Sequence, residues 1–448
     1  MTPLVGVRSC SDTPCGHLSL DGCQGLGICM FARIFSKSRA ILPIFLALLA
    51  LFLTGWLWLV NAPTSGGPWL QPISILSQSQ QIPVMGEPHF LNGKLASLNW
   101  IVGRDCQRSV RAYLQTASTN PDAALVGTGW VDPTTGKLIN GQSNNCTSGS
   151  LSMDSVVQLV HNKGGMAYLA ITMETDGSAT SWTSQQQSDY IARATTDNGY
   201  IDTIVHEVQR ENYDGVIMDL EGALSSYPNI QQLFAKYNQR VWDALKPLHK
   251  LYGIALIHKL SDHDDYYNLN AFENWSLLAH TADFFEIMAV DQSYFTPGPT
   301  VSLPWLKQLL AYTLQTMPDM LPNIIWELPL YGATWSLQGG QWVFDSGVNY
   351  ADGVNIVQQV PASQIYTAAS NLNDITCAHL VYTDSSGVKH SLWYHTAKNL
   401  YYVITNFKQM LEQTPQFHHS HLLLAFWYRA TWEPGDVWPM LNKVLPNV

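Results

Sequence analysis

Asn212-Tyr-Asp-Gly-Val-Ile-Met-Asp-Leu-Glu221 is the stretch on which the fold turns: a continuous apolar run closed by two acids. Side chains of an extended chain alternate faces. Ile217, Asp219 and Glu221 therefore point one way, and Val216, Met218 and Leu220 the other. The Val/Met/Leu set suits packing beneath helices, which aims the two carboxylates, about 6–7 Å apart along the strand, to the opposite side. Buried carboxylates are costly without partners, so the pair calls for a function. The plain alternative is a strand end lying at the surface with both acids solvated.

Working outward, seven further apolar runs have strand length: Leu95–Val102, Ala124–Val131, Gly165–Met173, Leu251–His258, Asp283–Asp291, Asn323–Gly332 and His421–Ala430. Segments of helical period lie between most of them, such as Ile230–Leu248 and Leu303–Thr316. Nearly continuous apolar strands alternating with helices imply a parallel sheet buried on both faces. Eight of them fit an α/β protein of the (β/α)8 TIM-barrel type, although the count alone also suits a doubly wound sheet. Between the seventh and eighth strands the spacing breaks. Residues 335–396 hold Gln341–Phe344 and a hairpin turning at Asp384-Ser-Ser-Gly387, which predicts a small β-rich insertion walling one side of the barrel mouth. In a barrel of this type the C-terminal ends of the strands carry the chemistry, which is where Asp219 and Glu221 fall. A close acid pair also pushes one pKa up, leaving a protonated acid beside an ionised one.

With this motif the chain resembles the family-18 glycoside hydrolases, the chitinase-like barrels. Asp214-Gly-Val-Ile-Met-Asp219-Leu-Glu221 is similar to the D-G-x-D-x-D-x-E signature of that family, and to its spore-cortex and peptidoglycan glycosidase branch in particular. Met288-Ala-Val-Asp291 stands where the family has M-x-Y-D, Tyr331-Gly-Ala-Thr-Trp335 follows the seventh strand in the family's manner, and Trp427 resembles the tryptophan that floors the sugar site. The likeness spans roughly residues 90–445. It implies a retaining, substrate-assisted hydrolysis of a glycan containing β-linked N-acetylglucosamine, an exception to the scheme with a protein nucleophile. Glu221 would protonate the glycosidic oxygen, and Asp219 would hold the acetamido group. Asp214, Met288, Asp291, Tyr294, Tyr331, Trp335 and Trp427 would bind substrate.

Two positions depart from the pattern. Ile217 replaces the middle acid of the signature, and Val290 replaces the tyrosine of M-x-Y-D, with Tyr294 four residues on as a substitute. Both losses fall on acetamido recognition rather than proton donation. They give substance to a second reading, a non-catalytic chitinase-like protein that binds carbohydrate.

The full chain has 448 residues, 46% hydrophobic and 13% charged, with a formal charge of -11. That balance excludes a disordered solvating chain and disfavours nucleic acid or any polyanion as partner. Residues 40–60 are apolar and uncharged, long enough to span a bilayer, with Arg33, Lys37 and Arg39 just before them. This predicts one transmembrane signal anchor, with 1–39 cytoplasmic, a linker over 61–87, and a barrel over 88–448 outside the membrane, or secreted if the anchor is cleaved. Met30 offers an alternative start, which would leave Cys10, Cys15, Cys23 and Cys29 untranslated. Cys106 and Cys146 are free to bond in an oxidising compartment, without any requirement that they do. The polar run of His258, Asp262, His263, Asp264 and Asp265 reads as a solvated loop, because it lacks a metal-ligand spacing. No phosphate loop, nucleophile elbow or zinc-protease motif is present, so neither a metal nor another cofactor is expected.

Overall fold

A computed structural model describes the chain between residues 97 and 444, apart from 101–109, 112, 114–123, 133–134, 137, 141–152, 174–181, 265, 267–268, 361–376, 418–419 and 428–436. The expected membrane helix at 40–60, the linker at 61–87, and Cys106 and Cys146 lie outside the described residues. Among the described residues no helix is long and apolar enough to cross a membrane.

Eight parallel strands close into a barrel. They are β1 (Ser97–Trp100), β2 (Ala124–Val131), β4 (Met166–Thr172), β5 (Gly215–Asp219), β6 (Leu251–Ile257), β7 (Phe284–Met288), β8 (Ile324–Pro329) and β13 (Leu423–Trp427). Each pairs with the next, and β1 meets both β13 and β2, which shuts the ring. A short β3 (Leu138–Asn140) adds antiparallel to β2. All eight sequence-expected strands are therefore present, and ring closure decides against the open doubly wound sheet. The reason is visible in β5 and β8, where every residue is buried: one face meets the outer helices and the other fills the barrel.

Packing inside the ring is close. Gly253 of β6 stands beside Phe284 of β7, and a Cβ there would lie 2.2 Å from the Phe284 ring, so glycine is what lets that ring plug the barrel. Outside, helices Ile230–Leu245, Leu303–Thr316 and Ala397–Glu412 present apolar faces, and Trp326 of β8 meets Phe407 edge-on at 4.9 Å. Truncating such a fully buried tryptophan to alanine costs about 3–5 kcal/mol. Helix starts are specified locally: Thr183 and Thr396 each close a capping box with the residue three positions on.

The insertion between the seventh and eighth barrel strands is a separate antiparallel sheet. It contains β9 (Tyr331–Gln338), β10 (Gln341–Asn349), β11 (Ala378–Thr383) and β12 (Lys389–Tyr394), in the order β10-β9-β12-β11. Its first hairpin turns on Gly339 and Gly340, both at positive φ, as a tight two-residue turn requires. Its second turns where the sequence predicts, with the Asp384 carboxylate accepting from the Ser386 and Val388 backbone N–H groups.

Candidate active site

Asp219 ends β5 and is buried, and Glu221 follows two residues later, half-buried. Ile217 lies below them on the same face, fully buried. The chain turns sharply after Glu221 because Gly222 takes φ 93, a conformation that disfavours any side chain. The turn is tied down by Gly222 N–H to the Leu269 carbonyl (2.8 Å) and by Leu224 N–H to the Ser188 hydroxyl (2.8 Å). Next to Ser188, Gln187 Nε2 donates to the Met173 carbonyl beyond β4 (2.7 Å). The acid pair is thus held from both sides of its strand.

The far wall carries two more acids that the sequence reading passed over. Strand register places Met218 beside Ile254 and Ala255 beside Glu286, so Asp219 and Glu286 share one level of the barrel with only Ala255 between. Strands are spaced about 4.8 Å apart, so these two Cα atoms lie roughly 10 Å apart around the wall, with side chains converging inward. One level up, Met288 pairs with both Ile257 and Glu327. Glu286 and Glu327 are both buried. Glu286 Oε1 accepts the Trp100 indole N–H at 2.7 Å, a contact between strands that are not neighbours, hence one that crosses the interior. Burial pushes the Glu286 carboxyl up to about 8 against the pull of that N–H. Burial likewise holds Glu327 well above the carboxylate range, reinforced by the charges of Glu286, Asp219, Asp291 and Glu221. Burial thus favours the protonated forms of Glu286 and Glu327.

Asp291, in the loop after β7, sits at φ 56, a left-handed conformation costing a side-chain-bearing residue about 1–2 kcal/mol. It is kept there by Tyr331, whose hydroxyl donates to Asp291 Oδ1 at 2.8 Å. Burial raises the Asp291 pKa, and the Tyr331 bond offsets part of that rise. Beside Asp291 opens a cleft of about 430 Å³, lined among others by His258, Tyr266, Gln292, Tyr294, Phe295 and Trp305. That volume is within the range of small-molecule sites. Burial drives the His258 pKa down to about 4, so its ring is neutral at neutral pH and packs edge-on to Tyr266 and Trp305. Phe295 is 72% exposed, an aromatic face offered to solvent at the cleft's edge.

Other expected site residues have distinct placements. Met288 ends β7, half-buried, with Val290 just beyond it. Tyr294 stacks on Phe344 of the insertion at 4.3 Å, and the buried Trp335 donates its indole N–H to the Tyr294 carbonyl at 2.6 Å. Trp335 therefore anchors the cleft loop to the insertion. The Trp427 backbone ends β13 opposite Pro329 of β8, at the same end of the barrel.

Asp214 is a correction. It precedes β5, at the opposite end of the strand from Asp219, where its Oδ2 accepts the Ala167 N–H at 2.7 Å and meets His161 Nε2 at 2.8 Å. It closes the bottom of the barrel, too far along the strand to touch a substrate at the top. The polar run after β6 is also only partly a solvated loop. Asp262 and His263 are exposed, but Lys259 is buried and donates to the Asn270 and Glu273 carbonyls. Among the described residues no cluster of metal-binding side chains forms.

No protein-family profile and no curated protein sequence matches the chain. Solved structures match it in fold. A chitinase from Chromobacterium violaceum aligns at TM-score 0.61 and 16% identity, covering 78% of this chain and 98% of that one. The spore cortex-lytic enzyme SleL of Bacillus megaterium aligns at TM-score 0.61 and 13% identity, over 79% of this chain and 74% of that one. SleL of Bacillus cereus gives TM-score 0.61 and 18% identity, over 79% and 75%. The fold is thus similar to that of chitinases and cortex-lytic enzymes.

Proposed function

We propose that the protein is a glycoside hydrolase that cleaves a glycan containing β-linked N-acetylglucosamine, chitin-like or peptidoglycan, with retention of configuration and with assistance from the substrate. The observation that carries this reading is the Asp219–Glu221 pair at the C-terminal end of a central barrel strand, facing further buried acids. Proteins named chitinase and cortex-lytic enzyme share the scaffold, which supports a glycosidic bond as the target.

In this mechanism Glu221 gives its proton to the glycosidic oxygen as the C1–O bond breaks. The substrate's acetamido carbonyl oxygen bonds to C1, forming a cationic oxazolinium that the Asp219 carboxylate stabilises. Glu221, now ionised, takes a proton from water, which attacks C1 and reopens the ring. Asp291, oriented by Tyr331, binds the sugar from the opposite side, Met288 and Tyr294 border it, and Trp427 is assigned to sugar binding from the sequence alone. The cleft rimmed by Phe295 takes the adjoining saccharide. The apolar 40–60 segment, on sequence grounds alone, tethers the barrel outside the cytoplasm.

The deciding experiment incubates the protein with N-acetylglucosamine oligomers and with peptidoglycan strands, reading both products and binding. Cleavage with the β-anomer formed first is expected. Saturable binding with no product would favour the carbohydrate-binding reading to which Ile217 and Val290 give substance.

A further inference from the structure

The cleft beside Asp291 is walled largely by rings. His258, Tyr266 and Trp305 form one group, with the His258 ring 4.5 Å from Tyr266 and 4.8 Å from Trp305 between centroids. The loop after β7 supplies Tyr294 and Phe295, edge-on to each other at 5.7 Å and steadied by the stacking of Tyr294 on Phe344. Aromatic faces carry partial negative charge and attract cations. The one charged group in the lining has the same sign. Asp264 is half-buried there, its carboxylate fixed by the Leu260 and Ser261 backbone N–H groups and by the Ser261 hydroxyl. Among the described residues no lysine, arginine or histidine forms an ion pair with it.

Nothing cationic stands in the lining to compete for a ligand's charge. It contains no lysine or arginine, and His258 is neutral at neutral pH. Lys259, next in sequence, spends its ammonium on the Asn270 and Glu273 carbonyls. Gln292, also in the lining, has a buried Oε1 with no hydrogen-bond partner among the described residues. A primary ammonium brings three donors, one positive charge and no acceptor. Ring faces, a fixed carboxylate and an unmatched carbonyl oxygen are the complement of that group. An acetamido group in the same place would set a carbonyl oxygen against two other acceptors.

We propose that the cleft recognises an ammonium: the adjoining saccharide that it takes is a glucosamine with a free amine. The inference rests on the glycosidase reading and narrows its substrate to a partly de-N-acetylated glycan, in which the cleaved sugar keeps its acetamido group and its neighbour lacks one. Asp264 supplies the opposite charge and Gln292 Oε1 accepts one N–H. Tyr266, Trp305 and Phe295 supply faces for the sugar and its ammonium.

The test titrates the full chain by calorimetry with the methyl β-glycosides of glucosamine, N-acetylglucosamine and glucose. It is run at about pH 6, where the sugar amine is protonated and His258 is not. The parent should bind the glucosaminide saturably. D264N, which keeps a carbonyl for the Leu260 and Ser261 N–H groups, should bind it about tenfold more weakly, with the other two glycosides unaffected. L260E, at a residue 37% exposed, adds a carboxylate to the cleft and should tighten the glucosaminide about threefold, a gain that misfolding cannot produce. D243N, which removes one exposed charge from the outer helix Ile230–Leu245, controls for net charge and should change nothing. A parent that does not bind the glucosaminide, a loss in D264N no greater than in D243N, or an L260E no tighter than the parent would overturn the proposal.

Turnover separates this inference from the reading beneath it. An N-acetylglucosamine oligomer with a single glucosamine beside the cleaved bond should show a higher kcat/KM than the fully acetylated oligomer, and D264N should remove that advantage. Cleavage without the advantage would keep the glycosidase reading and overturn the ammonium site. A parent that cleaves neither oligomer would sink the glycosidase reading, and the glycoside titrations would still decide whether the cleft holds an ammonium.

Discussion

The two ends of β5 carry the same chemical group and put it to different uses. At the bottom, Asp214 is bound to a backbone N–H and to His161, so its carboxylate is consumed in joining β4, the helix Met153–His161 and β5. At the top, Asp219 and Glu221 face Glu286 and Glu327 inside a crowded, buried space. A carboxylate given local donors is a fastener. Carboxylates concentrated where charge is costly have raised pKa values, and in this fold that end is also the end open to loops and ligands.

The contrast breaks most directly at Glu221. E221Q is expected to lower kcat by about 10³-fold or more, with the melt unchanged to within about 1 kcal/mol, since it removes only a transferable proton. Retained activity in steady-state assays would place the donor elsewhere. D219N should cost roughly 10²–10³-fold, again in kcat rather than KM.

At the bottom the expectation reverses. D214A should leave kcat and KM of the folded protein unchanged and destabilise it by about 1–2 kcal/mol in a urea titration, because the Ala167 N–H loses its acceptor. A loss of activity with no loss of stability would return Asp214 to the site.

The buried Glu286 carboxyl also has a signature in pH. The folded pKa of Glu286 is about 8, above the 4.5 of an unperturbed glutamate. Its protonated form is therefore the one favoured by folding. That contribution is complete below about pH 4.5, declines as pH rises, and is gone above about 8. Melting temperature should fall across that window, and E286Q should flatten the slope. A parallel slope in the variant would show that Glu286 ionises as if exposed. The smallest effect is expected at the rim, where F295A should raise KM by a few-fold with kcat unaffected, through the loss of one stacking face.

Much of this was legible before any coordinates. Doubly buried strands write themselves as apolar runs, which is why β5, β6 and β8 could be placed, and Leu303–Thr316 matches its expected helix end to end. The Asp384–Gly387 turn follows from side-chain bonding within four residues. Asp214 was misplaced by following a motif. Its parity with Val216 and Met218 already set it apart from Asp219, but parity does not show which end of a strand a side chain serves. Glu286 and Glu327 were missed for the opposite reason. Each is a lone acid inside an apolar run, and only the register of β6 with β7, and of β7 with β8, brings them opposite β5. A single acid within a doubly buried strand was the available signal. Trp335 as an anchor for Tyr294 depends on how the insertion folds back, which no local pattern specifies.

In the proposed reading the top of β5 serves hydrolysis assisted by the substrate's own acetamido group, despite Ile217 and Val290. The most direct measurement compares turnover of an N-acetylglucosamine oligomer with that of the matched glucosamine oligomer, which lacks the acetamido carbonyl. Cleavage of the first and none of the second is predicted. Equal cleavage of both would mean that a protein carboxylate or an activated water, not the acetamido oxygen, attacks the sugar, and would contradict this reading.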